Sequence, residues 1–251
     1  RVRPILQEHQ GGQAARNRGL AEAQGQYIKF LDDDDWLAER ALRKEVTVLR
    51  DNNADMCSGG CQFIDENKEP LGGPDFPNFE DPLIACFTGG IGPQPLRNTY
   101  RRTFVSDLNW DPELPCRQDF AFITEVALQG PVHVFSNVMT GYKRQHEGGL
   151  SKGKAMQSKG SVVHLRILKH AARILAQRNE ANDDIKEAVA QGLWTWGRIR
   201  ASEDWSEFSA TYELIKKIAP EFSPERHHSL LALLDKFIGA QNTERITLPL
   251  R

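Results

Sequence analysis

Four consecutive carboxylates, Asp32 to Asp35, close the stretch YIKFLDDDDW at residues 27–36. Like charges this close repel by about 1 kcal/mol per pair in water and by about 4 kcal/mol near a protein surface. The run is therefore either fully solvated or offset by positive charge. Hard divalent cations such as Mg2+ take oxygen ligands and commonly combine one or two carboxylates with the phosphates of a substrate. A cation of that kind would relieve the repulsion. A structural alternative is that Asp34 or Asp35 caps a helix starting near Leu37, where an acid suits the free N–H groups and the helix dipole. One aspartate is enough for a cap, so four in a row favour the cation.

The surrounding elements say where the acids sit. VRPILQ (2–7) predicts a short strand, and GGQAARNRGLAEAQG a helix stopped by Gly25. QYIKFLD (26–32) predicts a strand of β-branched and aromatic residues, which puts the acids at its carboxyl end. LAERALRKEVTVLRD (37–51) predicts an amphipathic helix with Leu42, Val46 and Leu49 on its inner face. ADMCSGGCQFID predicts a further strand, and ENKEPLGG a turn into a partner strand. Strands alternating with helices indicate an α/β fold with parallel strands, whose carboxyl edge is where ligands bind. Residues 72–95, rich in Gly and Pro, read as loops. RQDFAFITEVALQG (117–130) predicts a helix with Asp119 at its start, and PVHVF and VMTGYKRQ two short strands. Beyond about residue 155 only helical patterns follow, four of them. We therefore expect two regions, 1–152 and 153–251, parted in the polar stretch SKGKAMQSKG.

Bulk composition narrows the class. Of 251 residues 39% are apolar and the net charge is -2, which suits a globular core and gives no basic field for nucleic acid. No run of 18 apolar residues occurs. Cys57, Cys61, Cys86 and Cys116 are too few for a disulfide scaffold, and CSGGC lacks a second pair to complete a zinc site. Buried thiols in a reducing cytoplasm are the expectation.

The stretch GGQAARNRGLAEAQGQYIKFLDDDDWL, Gly11 to Leu37, closely resembles the family 2 glycosyltransferases. DENKEPLG, RRTFVSDLNWDPELPCRQDF and YKRQHEGGLS resemble later family segments in the same order, so the likeness covers about residues 1–151. It implies a GT-A fold, a mixed sheet flanked by helices, here followed by an all-helical C-terminal region. It implies an inverting sugar transfer from a nucleotide-diphosphate donor, assisted by Mn2+ or Mg2+, to a saccharide or lipid-linked acceptor in surface polysaccharide or lipopolysaccharide synthesis. By the same resemblance Asp34 and Asp32 would hold the metal, and Asp32, Asp33, Arg16 and Asn17 would lie along the donor. Asp119 would be the base that deprotonates the acceptor hydroxyl, unless it merely caps its helix. Arg144 and His146 would steady the leaving diphosphate. Two positions depart from the family pattern: Gln118 stands where glutamate is usual, and Gly149 where serine is. A cytoplasmic protein, peripherally associated with the inner membrane, is implied as well. The family's first β-α-β unit has no counterpart after Arg1, so a fragment lacking it is expected. Two other classes remain open: a magnesium-dependent phosphotransferase or nuclease, since clustered aspartates also hold paired metals, and a non-catalytic binding module.

Overall fold

The computed structural model describes residues 2–145, 154–178, 181–225 and 229–248. In chain order the elements begin with α1 (Gly11–Glu22), β1 (Tyr27–Ile28), β2 (Trp36–Leu37), α2 (Ala41–Asp51) and β3 (Met56–Ile64). Next come α3 (Pro82–Thr88), a 3-10 turn at Pro95–Arg97, β4 (Asn98–Arg101), α4 (Arg102–Val105), α5 (Gln118–Ala127) and β5 (His133–Arg144). The helices α6 (Lys154–Arg178), α7 (Asp183–Arg200), α8 (Trp205–Ile218), α9 (Ser229–Ile238) and α10 (Ala240–Thr247) follow.

The sheet runs β1-β4-β3-β5-β2 and is mixed. Only β3 and β5 pair in parallel; β1 with β4, β4 with β3 and β2 with β5 are antiparallel. The parallel sheet expected from strand-helix alternation is thus corrected, because β4 runs the opposite way between β1 and β3. Residues 2–7 form no strand and join no sheet; Arg3 is tied to Glu22, and Val2 and Leu6 are almost fully exposed. PVHVF and VMTGYKRQ merge into one long strand, β5, whose register against β3 shifts around Gly60.

Two details place the acidic run. First, Leu37 belongs to β2 and not to a helix, and lies opposite Gly141. A Cβ on Gly141 would come within 2.1 Å of the Trp36 carbonyl oxygen, so only glycine lets β2 lie this close to β5. Second, α2 begins at Ala41, with Arg40 at its N-cap in the left-handed region. No aspartate of the run caps it. Its buried face is Ala41, Glu45 and Leu49, while Leu42 is exposed. The helix is turned from the predicted face because the Lys29 ammonium, on the chain just after β1, donates to Glu45 Oε1 at 2.7 Å and draws that carboxylate inward.

One hydrophobic core joins the sheet to the C-terminal helices. It runs from Phe30, Met56, Tyr100, Trp110 and Phe122 through Phe87 to Leu168, Leu193 and Phe208. Within it Trp110 stacks on Phe122, and Phe30 meets both rings edge-on. A smaller cluster of Leu49, Ala54 and Cys57 fills the space behind α2. Trp36 is more than a third exposed and carries the Lys68 ammonium 5.4 Å above its ring. No described helix is long and apolar enough to cross a membrane.

Candidate active site

Asp32 to Asp35 form a tight turn, closed by the Asp35 N–H donating to the Asp32 carbonyl at 3.2 Å. The turn brings carboxylate oxygens of Asp32, Asp34 and Asp35 within 4.8 Å of one another. Asp33 is exposed and is not part of this group. The three-carboxylate donor set, hard and oxygen-only, fits a divalent cation such as Mg2+ or Mn2+. Asp34 and Asp32 were expected there, but Asp35 was not. It is nearly fully buried, and its Oδ1 accepts the Arg144 backbone N–H at 3.2 Å. Burial pushes the Asp35 carboxyl up, against the pull of Lys143 and the Arg144 amide.

Two side-chain cations offset the repulsion with which the sequence opens. Arg16, on α1, donates through Nη2 to Asp32 Oδ1 at 2.5 Å. Lys143, near the end of β5, lies 3.4 Å from Asp35 Oδ2 and 3.7 Å from Asp32 Oδ2. Arg16 is fixed by two further contacts. Its guanidinium lies 4.5 Å over the Trp110 ring, and its Nη1 is 3.9 Å from Asp119 Oδ1. It therefore stands between the acidic turn and the first turn of α5. Asn17, the next residue, exchanges both of its amide hydrogen bonds with the Trp110 backbone, at 2.7 and 2.8 Å. Its polar ends hold the tryptophan that carries Arg16.

Asp119 does not cap α5. Arg117 occupies the cap position in the left-handed region, and no side chain bonds the first turn. Asp119 Oδ1 is buried with no hydrogen-bond partner. Burial raises its carboxyl to about 6; Asp32 and Asp35 add to the rise, while Arg16 and Lys143 oppose it. Such a group suits proton abstraction near neutral pH. Gln118, beside it, spends its amide on the Leu114 carbonyl. Arg144 stands next to the turn with its Nε buried and unpartnered. His146 lies outside the described residues.

Sequence reasoning missed Lys143, Asp35 and Trp110. YKRQ offered a basic pair next to a strand end, and NWDP a tryptophan before a turn, but neither pattern says which face it occupies. The thiols are as expected: Cys57, Cys61 and Cys86 are buried and free, and burial pushes Cys57 up to about 11 and Cys86 to about 12.

Comparison with known proteins agrees with this geometry. Residues 1–146 match the model described as Glycosyl transferase family 2. A glycosyltransferase of Haemophilus influenzae is 46% identical over 57 residues, 23% of each chain. A Bacillus subtilis protein named for teichuronic acid biosynthesis, TuaG, is 30% identical over 91 residues, 33% of this chain and 36% of its own. These matches span about a quarter to a third of the relatives' length. The Staphylococcus aureus TarS 1–349 crystal structure superposes with a TM-score of 0.59 at 14% identity, covering 98% of this chain and 74% of that one, and so shares its fold.

Proposed function

Because the chain belongs to glycosyl transferase family 2, we propose that it transfers a sugar, with inversion, from a nucleotide-diphosphate donor to an acceptor hydroxyl. The observation that carries this reading is the facing pair: an oxygen-only carboxylate cluster at the sheet edge, and Asp119 across Arg16 from it. Asp34, Asp32 and Asp35 would hold Mn2+ or Mg2+, and the bound cation would supply charge for the donor's diphosphate. Arg16 orients Asp32 and keeps the two acidic groups apart. Asp119 accepts the proton of the attacking hydroxyl; its side chain is 34% exposed, so a substrate can reach the carboxylate. Asp33, exposed beside the cluster, would meet the ribose, and Arg144 and His146 would steady the leaving diphosphate. Residues 1–152 form the transferase region and 153–251 a helical region that braces it.

A saccharide acceptor in cell-surface polysaccharide assembly is the class suggested by the likeness to TuaG. The TarS 1–349 structure in complex with UDP-GlcNAc makes a uridine diphosphate sugar the first donor to try. Calorimetric titration of Mn2+ with uridine diphosphate present, on the wild type and on Asp34→Ala, tests the site. Loss of cation-dependent nucleotide binding in the variant is expected. Equal affinities would remove Asp34 from the site and with it the basis of the reading.

A further inference from the structure

We propose that Lys143 is a resident counter-cation of the carboxylate cluster, and that its ammonium and a divalent cation compete for the same oxygens. The inference rests on the reading of Asp32, Asp34 and Asp35 as a cation site. Lys143 touches two of those three carboxylates, at 3.4 and 3.7 Å. Both distances are longer than a close charged hydrogen bond, so the ammonium sits between the two acids and is seated tightly on neither.

The charges that face it are Asp32, Asp35 and, further off, Asp119. Arg16 is the other cation on Asp32, but it is held in place. Its guanidinium lies over Trp110, which Asn17 clamps through two backbone hydrogen bonds. Among the described residues the Lys143 ammonium has no such anchor: its partners are the cluster itself.

A divalent ion bound among these oxygens would stand within a few ångströms of the ammonium. Charges of one sign at that range repel by several kcal/mol near a protein surface. The ion therefore enters as the lysine leaves. The flexible four-carbon stem allows that movement, where a planar, stacked guanidinium would resist it. In the metal-free protein Lys143 keeps the turn assembled. In the metal-bound protein the released ammonium is free to meet an anionic ligand at the same edge.

The test titrates Mn2+ alone, without nucleotide, into the wild type, Lys143→Met, Lys143→Gln and Lys143→Arg, by calorimetry and by the solution electron-spin signal of free Mn2+. Both neutral variants should bind Mn2+ at least about tenfold more tightly than the wild type. The arginine variant, which keeps the charge, should stay close to the wild type. Equal or weaker binding in the neutral variants overturns the competition. If none of the four proteins binds Mn2+, the cation site itself fails, an outcome distinct from equal, measurable affinities. If the neutral variants are unfolded without metal, recovery of the fold on adding Mn2+ supports the inference, because one cation then replaces the other. No recovery makes Lys143 a structural residue only and overturns it.

Discussion

At the scale of single residues, Asp119 combines a cost with a use. One oxygen of the Asp119 carboxylate is buried without a hydrogen-bond donor, which disfavours the ionised form, and its folded value of about 6 stands above the ordinary carboxylate range. The stability this group contributes is fully present below the unfolded value near 4 and is lost as pH rises through about 6. Its use as a base runs the other way, because only the ionised form accepts a proton. We expect transfer activity to fall as pH drops through about 6. Asp119→Asn should reduce turnover by about 10²-fold or more. It should also melt at a higher temperature than the wild type at pH 7.5, because burial penalises the ionised carboxylate more than Arg16 and Lys143 relieve it. Steady-state rates across pH and paired thermal melts check both. A variant with unchanged turnover would exclude the role.

At the scale of elements, the buried pair Lys29–Glu45 ties the end of β1 to α2. Lys29 Nζ also donates to Thr99 Oγ1 at 3.2 Å, so one ammonium joins β1, α2 and β4. Removing one member strands the other charge in the core, at a cost of about 3–5 kcal/mol, whereas replacing both by apolar groups is often neutral. Lys29→Met should therefore lose about 3 kcal/mol in denaturant unfolding, and Lys29→Met/Glu45→Leu should recover most of it. This pair also explains what the sequence could and could not reveal. Periodicity found α1, α2, β3 and α5, because each has several residues of consistent pattern. It placed Leu49 of α2 correctly but put Leu42 inward and missed Glu45, because no local rule pairs Glu45 with a lysine sixteen residues earlier. It missed β4, whose four residues NTYR have no alternation to detect. It passed over α3 even though Asp81 caps it, Pro82 starts it and Gly89 ends it in the left-handed region. Those signals were hidden among neighbouring glycines and prolines. The acidic turn and Asp119 were readable from residue types in order. Asp35 and Lys143 were not, because their meeting depends on the antiparallel register of β2 against β5.

At the scale of the whole molecule, the C-terminal helices complete the core under the sheet. Gly192 of α7 lies against the Phe87 backbone of α3, and a Cβ there would come 2.5 Å from the Phe87 carbonyl oxygen. Gly192→Ala gains about 1 kcal/mol of helix propensity but must push two packed helices apart, and we expect a net loss of about 2 kcal/mol. Because one core spans both regions, the loss should lower a single unfolding transition, seen at the same midpoint by far-ultraviolet and near-ultraviolet circular dichroism. Two separate transitions would show that the regions fold independently. A second bridge crosses the same boundary. Phe120, next to Asp119, stacks at 4.0 Å on His164 of α6, which stacks at 3.8 Å on Trp196 of α7. Burial, with Arg117 nearby, pushes His164 down to about 3, so it remains an uncharged spacer at any working pH. The stack is thus also an optical line. An indole in ring contact with an imidazole changes its emission when that contact opens, and the imidazole here rests on the helix that carries Asp119. Trp196 is a built-in fluorophore positioned to report when that helix moves.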